Sequence, residues 1–456
     1  MHIRRTSRWL GLAFVLVLID GHANDGLLDP TFAGIGKMRV AFDDPAGNKA
    51  DHAAYLLIQP NGAALVMGSI DAGTQANVGL ARVLPSGAFD PAFNGDGNSD
   101  GKVVVGFLET MQPRGMALLS DGRIIVAGRS ASGAALLTRR TANGDNIDPF
   151  PASSFGFIAF TIPGATNTEF IDLLGVAGGK FLAAGTVTTA SGGADFFVAR
   201  LSSDGVLDNT FGASSGYTRI GFDLDLGKSD QAVALAVAND GRIALIGTVS
   251  EGDHEFGIAM LQSNGQPDMS FDGDGKAVVN FDIGIVSDDR AAAACFAPNG
   301  NLLIAGTVSD AVLGNEVGLA LLSKTGSLVS GFGSNGRRQF AVISTTSAGD
   351  VACARDGRFL LTGTFDTSQP DLMPSEAFVT RFLADGSNDN TFGSSFATTA
   401  FGLNRPASGR VDRGIALAQD SGGRIYAAFD AEYQDPDYDF GLARLAVDEI
   451  FADGFE

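Results

Sequence analysis

A turn signal recurs seven times along the chain, at an interval close to sixty residues. Each copy is an Asn-Gly, Asp-Gly or Gly-Gly pair followed by a short apolar segment. The second glycines stand at positions 62, 122, 179, 241, 300, 357 and 423, with spacings of 60, 57, 62, 59, 57 and 66 residues. A fixed period of this length indicates a repeat architecture, because each unit must bury its apolar face against its neighbours.

Each repeat contains several strand signals. The segments that flank the turn are rich in Val, Ile and Leu, as in residues 124–128 and 302–306. Asn-Gly or Asp-Gly between two apolar segments predicts a β-hairpin, since the tight turn needs positive φ at its central residues. A further strand opens most units, at residues 36–42, 101–107, 217–223, 275–281 and 336–342. Each unit therefore supplies about four short antiparallel strands.

The strands beside the turn are apolar on both faces, so we expect both faces of each sheet to be covered. Four-stranded sheets stacked around an axis provide that burial, as in β-propellers. The sequence predicts an all-β, seven-bladed β-propeller that forms a single domain over residues 24–456. The predicted repeats span about residues 29–89, 90–147, 148–207, 208–267, 268–328, 329–388 and 389–451.

A D-x-x-F element opens the repeats. Its Asp can cap a local turn and its Phe can fill the core. Copies stand at Asp29/Phe32, Asp90/Phe93, Asp148/Phe155, Asp208/Phe211, Asp268/Phe271, Asp389/Phe392 and Asp448/Phe451, and Val329 replaces the Asp before Phe332. The eight copies exceed the seven turns by one. We therefore expect the first and last copies to meet at the seam of a closed ring.

An Arg stands eight residues before the Asp in three units, as in Arg82 and Asp90. Where Val329 replaces the Asp, Leu321 replaces the Arg, which suggests an ion pair inside each repeat. The unit that combines Asp268 with Met260 argues against it. A solvated Arg at a strand end is the alternative interpretation.

Three segments carry a longer pattern, F-x-L-A-R-L-x-x-D-G-x-L-D-x-T-F-G: residues 78–93, 196–212 and 377–393, with the related DGRIIVAG at 121–128. The pattern resembles the bacterial delta-60 repeat, a β-propeller-type repeat of exported proteins, over essentially the whole chain after residue 23. The resemblance implies no enzymatic activity and no catalytic residues.

The first residues have the three regions of a secretory signal. A charged segment (1–8) precedes an apolar segment (9–19) and a segment of small residues that ends at Ala23. We expect cleavage after Ala23 and a secreted or periplasmic mature chain without a transmembrane segment. The pair Arg4-Arg5 leaves twin-arginine export open as an alternative. A formal net charge of −21 argues against nucleic-acid binding, since an acidic surface repels phosphates.

Two cysteines remain, Cys295 and Cys353. They occupy matching strands of consecutive repeats, five and four residues before the turn glycines, so their side chains point to opposite sheet faces. Opposite faces of adjacent blades are the faces that touch. The spacing therefore allows an interblade disulfide, with two buried free thiols as the alternative.

Few residues suit catalysis. Only His52 and His254 lie outside the signal among the four histidines, and the single tryptophan, Trp9, lies within it. No Ser-His-Asp or Cys-His set and no H-E-x-x-H motif can be assembled. We expect no catalytic site and no required cofactor.

Calcium is the remaining chemical hypothesis. Asp96, Asn98 and Asp100 match the first half of an oxygen-ligand calcium loop, but Phe107 stands where the bidentate acid is expected. A second alternation of acids comprises Asp435, Asp437 and Asp439. Solvated polar turns are the alternative for both sets, and Asp439 also stands where the repeat usually places an acid.

The connections before the last strand of each unit vary in length and sequence, as at residues 70–77, 365–377 and 429–438. Variable loops on a rigid frame commonly carry recognition. We therefore predict a monomeric binding or scaffold module whose partner is a protein or a surface glycan. The alternative is a hydrolase or dehydrogenase with a metal on the propeller axis, which acidic side chains in the central channel would favour.

Overall fold

The computed structural model describes residues 25–42, 50–71, 76–94, 97–105, 111–144, 150–151, 156–190, 193–222, 229–250, 253–281, 288–310, 314–342, 345–366, 375–393, 398–401, 411–434 and 437–447. Within these ranges the regular structure is entirely β. The strands are β1 (Lys37–Val40), β2 (His52–Ile58), β3 (Ala64–Asp71), β4 (Ala76–Val83), β5 (Lys102–Val105), β6 (Met111–Leu118), β7 (Ile124–Ser130), β8 (Ala135–Arg140), β9 (Phe157–Phe160), β10 (Ala165–Val176), β11 (Lys180–Thr189), β12 (Ala194–Ser202), β13 (Tyr217–Ile220), β14 (Gln231–Val237), β15 (Ile243–Ser250), β16 (His254–Leu261), β17 (Lys276–Val279), β18 (Arg290–Phe296), β19 (Leu302–Asp310), β20 (Gly314–Leu322), β21 (Arg337–Phe340), β22 (Thr345–Cys353), β23 (Phe359–Asp366), β24 (Ser375–Phe382), β25 (Thr398–Phe401), β26 (Asp412–Gln419), β27 (Ile425–Gln434) and β28 (Asp437–Leu445).

The strands form seven four-stranded antiparallel sheets, so the predicted seven-bladed β-propeller is confirmed. Blade 1 comprises β2–β5, and each later blade takes the next four strands, up to β22–β25 in blade 6. The first strands of neighbouring blades contact one another and line the axis. Seven clusters of buried apolar side chains fill the spaces between adjacent blades, one cluster per interface.

Blade 7 is assembled from both ends of the chain. Its strand order is β26, β27, β28 and then β1, with Lys37 opposite Ala443 and Val40 opposite Phe440. Each blade therefore begins one strand after the sequence repeat does, because the strand that opens a repeat is the outer strand of the preceding blade. The seam lies where β1 pairs with β28.

The Phe of the D-x-x-F element fills the space between blades. Seven such rings are at most 1% exposed: Phe32, Phe93, Phe150, Phe211, Phe271, Phe332 and Phe392. Several of these rings contact a glycine between the third and fourth strands of the next blade, where a Cβ would collide. For example, a Cβ on Gly265 would lie 2.6 Å from the ring of Phe211. In the third repeat the sequence predicted Phe155, but Phe150 takes this place, and Phe155 lies outside the described residues.

Each recurring Arg clamps its own blade to the next one. Arg82 Nε donates to Asp90 at 2.8 Å, and its Nη1 donates to the carbonyl of Ala142 in blade 2 at 2.6 Å. Arg200 repeats the arrangement with Asp208 (2.7 Å) and the carbonyl of Ser263 (2.9 Å). The intrarepeat ion pair is therefore present in these units, and each guanidinium also reaches the neighbouring blade.

Two further clamps involve the N-terminal segment. Arg444 in β28 donates to Asp29 at 2.9 Å and to the carbonyl of Pro85 in blade 1. Arg381 in β24 donates to Asp389 at 2.8 Å and to Asp25 at 3.1 Å. The first D-x-x-F copy thus serves the last blade, across the seam. The eighth copy, Asp448/Phe451, lies outside the described residues.

The two blades without this Arg obtain an interblade contact from a different arginine. In blade 4, where Met260 replaces it, Arg242 in the turn before β15 donates to the carbonyl of Lys324 at 3.1 Å. In blade 5, where Leu321 replaces it, Arg338 of β21 donates to Asn388 Oδ1 at 2.6 Å. A guanidinium bridges these interfaces as well.

A covalent bond joins blades 5 and 6. Cys295 in β18 and Cys353 in β22 form a disulfide whose Cα atoms are 5.6 Å apart. Both strands line the axis, so the bridge lies on the inner side of this interface.

We predict that removing the Arg444 clamp destabilises the whole ring. R444M removes a buried guanidinium and leaves the partly buried Asp29 carboxylate without its cation. We expect a loss of about 3 kcal/mol in the free energy of unfolding, measured by urea denaturation at pH 7. The double variant R444M/D29N should recover part of that loss. The control R355M removes an exposed guanidinium and should change stability by less than about 0.5 kcal/mol. Equal effects of R444M and R355M would contradict the assigned role.

Candidate functional site

Antiparallel order places two kinds of connection at the same edge of every sheet: those between second and third strands, and those that cross from one blade to the next. We call this edge the crossover face. The crossover-face connections range from two residues (435–436) to eleven (41–51). On the opposite edge, the hairpin face, six of the seven turns between first and second strands have five residues, and the seventh (177–179) has three. The connections between third and fourth strands also lie there and have 14 to 18 residues in blades 1 to 6. Variation in connection length is thus marked on the crossover face.

Seven polar side chains surround the mouth of the axial channel on the crossover face. They hold the same register position near the start of each first strand: His52, Gln112, Glu169, Gln231, Arg290, Ser347 and Arg413. Gln112, Gln231, Arg290 and Arg413 are exposed. The ring therefore presents amide and guanidinium donors to solvent on an acidic protein.

Several members of this ring pair with groups of opposite charge. Glu169 lies 3.0 Å from Arg114, which stands two residues beyond Gln112. His52 Nδ1 lies 3.0 Å from Asp430 Oδ2, and Asp430 Oδ1 also accepts the backbone N–H of Ala53 at 2.7 Å. The hydrogen bond to Asp430 raises the pKa of His52, although burial and Arg413 oppose the shift. A protonated His52 would stabilise the contact between blades 7 and 1.

A bulge lies at the same place in every first strand, and the residue after it holds a second ring position deeper in the channel. The seven residues at that position are Tyr55, Gly115, Asp172, Ala234, Ala293, Asp350 and Ala416. Four are Gly or Ala and leave space. The Tyr55 hydroxyl donates to the carbonyl of Ile171 at 2.7 Å, so this side chain reaches from blade 1 to blade 3 past Gly115.

Asp172 and Asp350 occupy two of these deep positions. Asp350 accepts the N–H of Val351 at 2.7 Å and that of Leu417 in blade 7 at 2.8 Å. Asp172 accepts the N–H of Leu173 at 2.8 Å and a hydrogen bond from Leu235 in blade 4. Each carboxyl thus links two first strands while keeping part of its surface toward the channel.

Burial dominates the acid–base behaviour of both carboxyls. It raises the pKa of Asp172 to about 7, with a further contribution from the charge of Asp350, and it raises the pKa of Asp350 to about 6. Backbone hydrogen bonds oppose both shifts. The two groups therefore exchange protons close to neutral pH.

The sequence reasoning missed this pair, although a signal existed. Asp172, Asp350 and Tyr55 each stand seven residues before a turn glycine, at Gly179, Gly357 and Gly62. The other four repeats carry Gly or Ala there. Comparing repeats position by position would have singled out these three side chains, whereas the search for motifs along the chain could not.

The predicted calcium ligands fall at two places. Asp100 Oδ1 accepts the N–H of Lys102 at 3.0 Å, and Asn98 lies in the same connection, whereas Asp96 lies outside the described residues. Asp439 is fully buried in β28 and accepts a hydrogen bond from Arg39 of β1. Asp437 begins β28, and Asp435 lies outside the described residues. Among the described residues, no group of three or more His, Cys, Asp or Glu is placed to hold a metal ion. Calcium binding stays a prediction for both sets.

The two remaining histidines lie on the crossover face and contact acids. His254 Nδ1 lies 2.6 Å from Asp288, which also pairs with Arg290 at 3.0 Å.

Within the described ranges, no helical segment could span a membrane.

Comparison with known families gives a partial match. A family model described as a domain of unknown function (DUF5122) beta-propeller matches residues 179–211, from the third turn glycine to Phe211. Together with the seven blades, this supports a propeller-type repeat protein. The delta-60 name stays a prediction. No curated protein matches the chain significantly.

Solved structures resemble the fold at low identity. Polysaccharide lyase Uly1 is 11% identical, with a TM-score of 0.49 over 90% of this chain and 94% of that chain. YCF48 bound to D1 peptide is 9% identical, with a TM-score of 0.45 over 93% and 98%. The PQQ-bound aldose sugar dehydrogenase of Streptomyces coelicolor is 14% identical, with a TM-score of 0.38 over 73% and 94%. These neighbours include enzymes and a peptide complex, and at such scores they carry no argument about activity.

We predict that Asp172 makes stability fall as pH rises toward neutrality. Its pKa is 3.8 ordinarily and about 7 in the folded protein, so between these values the folded state holds a proton that the unfolded state releases. Folding is then progressively less favourable, by at most about 1.4 kcal/mol per pH unit. D172N should raise the melting temperature at pH 8 and flatten the decline between pH 4 and 7.

Melting curves over that pH range test this prediction, with D272N as the control. Asp272 is an exposed carboxylate outside the channel, so its removal should leave the slope unchanged. A D172N profile parallel to that of the unsubstituted protein would contradict the assignment. D350N should act in the same direction over a narrower window, because the pKa of Asp350 is raised only to about 6.

Proposed function

We propose that the protein is an exported, non-catalytic β-propeller that acts as a binding or scaffold module and engages its partner through the crossover face. The observation that carries the proposal is the contrast between the two faces. On the crossover face each kind of connection differs severalfold in length, from two to eight residues between second and third strands and from four to eleven between blades. On the hairpin face each kind is nearly uniform, with three or five residues between first and second strands and 14 to 18 between third and fourth strands. Sequence variation concentrated on one face of a rigid frame is typical of a recognition surface.

The exposed side chains of the mouth support the same proposal. Gln112, Gln231, Arg290 and Arg413 are polar, exposed and arranged around one axis. The guanidinium of Arg413 lies 6.0 Å from the ring centre of Tyr438, which holds the cation beside an aromatic face. Arg and Tyr are residue types enriched in protein interfaces. A protein or a surface glycan fits this chemistry.

Export is part of the proposal. It rests on the three-part signal pattern of residues 1–23, which lie outside the described residues. The Cys295–Cys353 bridge suits an oxidising compartment such as the periplasm or the exterior. We also infer a monomer, since the seven blades close on one another within a single chain.

A metal-dependent hydrolase or dehydrogenase is the second candidate, and one observation favours it. Asp172 and Asp350 both face the axial channel, where such a site would lie. Each carboxyl already accepts two backbone N–H groups, and this gives it a structural role that needs no substrate. The binding proposal is therefore the better supported of the two.

Affinity capture from a cell-envelope extract tests the binding proposal, with residues 24–456 as bait. We expect one stoichiometric partner that R290A/R413A, on the crossover face, no longer retains. The control R123A/R355A removes two arginines from hairpin-face turns and should retain it. A partner that both variants retain equally, or one lost only with R123A/R355A, would contradict binding through the crossover face.

A further inference from the structure

Blade 5 departs from the repeat at its outer strand. Arg338 in β21 lies opposite Leu319, and the residues at the same register position in the other six blades are Met38, Val103, Ile158, Thr218, Ala277 and Thr399. None of those six is charged, and Val103, Ala277 and Thr399 are buried. The preceding residue, Arg337, adds a second guanidinium. Adjacent cations at this place occur in blade 5 alone.

A groove of about 780 Å³ opens around these two arginines at the outer edge of the ring. Besides Arg337 and Arg338, it is lined by the hydroxyls of Ser334 and Ser387 and the amide of Gln339. Small-molecule sites commonly measure about 300–1,000 Å³. The groove thus has the size of a ligand site and is rich in hydrogen-bond donors.

The described part of the chain gives both guanidinium groups uncharged hydrogen-bond partners. Arg337 Nη2 donates to Asn280 Oδ1 at 3.2 Å and Arg338 Nη2 to Asn388 Oδ1 at 2.6 Å, so both partners are uncharged amides. No ion pair within 4.0 Å involves either arginine among the described residues, and both Nε atoms are buried without a hydrogen-bond partner there. Four of the clamp arginines, in contrast, each pair with the Asp of a D-x-x-F element.

The acid that lines the groove already accepts hydrogen bonds. Asp385 lines the groove, but its Oδ1 accepts the N–H and the hydroxyl of Ser387 at 2.8 and 2.6 Å. Burial lowers the pKa of Arg338, against the opposing charge of Asp385. On a chain of net charge −21, two partly desolvated cations side by side are a local exception.

The contact between Arg338 and Asn388 replaces the missing clamp at the interface of blades 5 and 6, and this accounts for one of the two arginines. The Arg338 guanidinium also lies 5.4 Å from the ring centre of Phe382, which fixes its plane. Arg337 instead contacts blade 4 through Asn280, so it bridges the other interface of blade 5. Both side chains are nevertheless held in place at the same groove.

We propose that this groove binds a ligand with an oxyanion group, a carboxylate, sulfate or phosphate, held by Arg337 and Arg338 with the hydroxyl of Ser334 as a further donor. Guanidinium groups bind such anions through charge-assisted, often bidentate hydrogen bonds. The site lies on an outer strand, apart from the axial channel. It does not depend on a partner at the crossover face.

Ligand-observed NMR at constant ionic strength tests the proposal on the full mature chain. The probes are glucuronate, glucose 6-phosphate, inorganic sulfate and, as the uncharged control, glucose. We expect at least one oxyanion probe to bind and glucose not to bind. Binding of sulfate as well as the sugar anions would identify the anion alone as the ligand feature. Binding restricted to the sugar anions would identify an acidic saccharide.

Two variants locate the binding. R337Q and R338M should each weaken it about tenfold or more, as expected for loss of a charge-assisted hydrogen bond. Met is the residue that blade 7 carries at the position of Arg338, so R338M keeps a side chain that the fold accepts. The control K276Q removes the cation that precedes Ala277 in blade 4 and should leave the affinity unchanged. Absence of binding by every oxyanion probe, or equal binding by all variants, would overturn the proposal.

Discussion

The structure depends on the closure of the ring by its N-terminal segment. Every blade buries both faces against its neighbours, so an open ring would expose two apolar faces to water. Blade 7 has only three strands from the C-terminal part of the chain, and β1 supplies the fourth. The same segment supplies Asp29 to the Arg444 clamp, Phe32 to the core and Asp25 to the Arg381 clamp. One stretch of about fifteen residues therefore completes both interfaces of blade 7.

The rest of the frame repeats a few contacts around the axis. A Phe ring, a glycine and a guanidinium recur from blade to blade, and where the usual Arg is missing, Arg242 or Arg338 makes an interblade contact. Apart from Arg242, these contacts lie on the third and fourth strands and the segments between them. The first strands differ more, since Asp172, Asp350 and Tyr55 occupy positions that are Gly or Ala elsewhere. The contacts between blades therefore repeat around the ring, whereas the side chains at the channel and the connections on the crossover face differ from blade to blade.

The sequence was sufficient to predict the fold, because the turn glycines and the apolar segments share one period. The parity of Cys295 and Cys353 pointed to facing sheets, and the structure joins the two residues. The sequence did not show that each blade begins one strand after the repeat, because the pairing of that strand with the preceding blade is a tertiary contact. In the third repeat, the sequence suggested Phe155 in a lengthened copy of the element, whereas Phe150 is the buried ring that packs against Gly205.

The candidate site was less accessible to sequence reasoning. Asp172 and Asp350 are ordinary acids along the chain and acquire raised pKa values only when the first strands enclose a channel. In the sequence, Arg337 and Arg338 likewise resemble ordinary surface charges. The structure shows that their hydrogen-bond partners are the amides of Asn280 and Asn388. In both cases the chemistry arises from residues far apart in the chain. These contacts form only when the ring closes, so a local sequence pattern does not reveal them.

Amide hydrogen exchange in β1 tests the central claim most directly. If β1 closes the ring, the amides of residues 37–40 that bond to β28 should be protected as strongly as their counterparts in 276–279, an outer strand formed without a seam. Exchange of residues 37–40 within seconds, while 276–279 stay protected for hours, would show that β1 does not hold blade 7 together and would contradict the account.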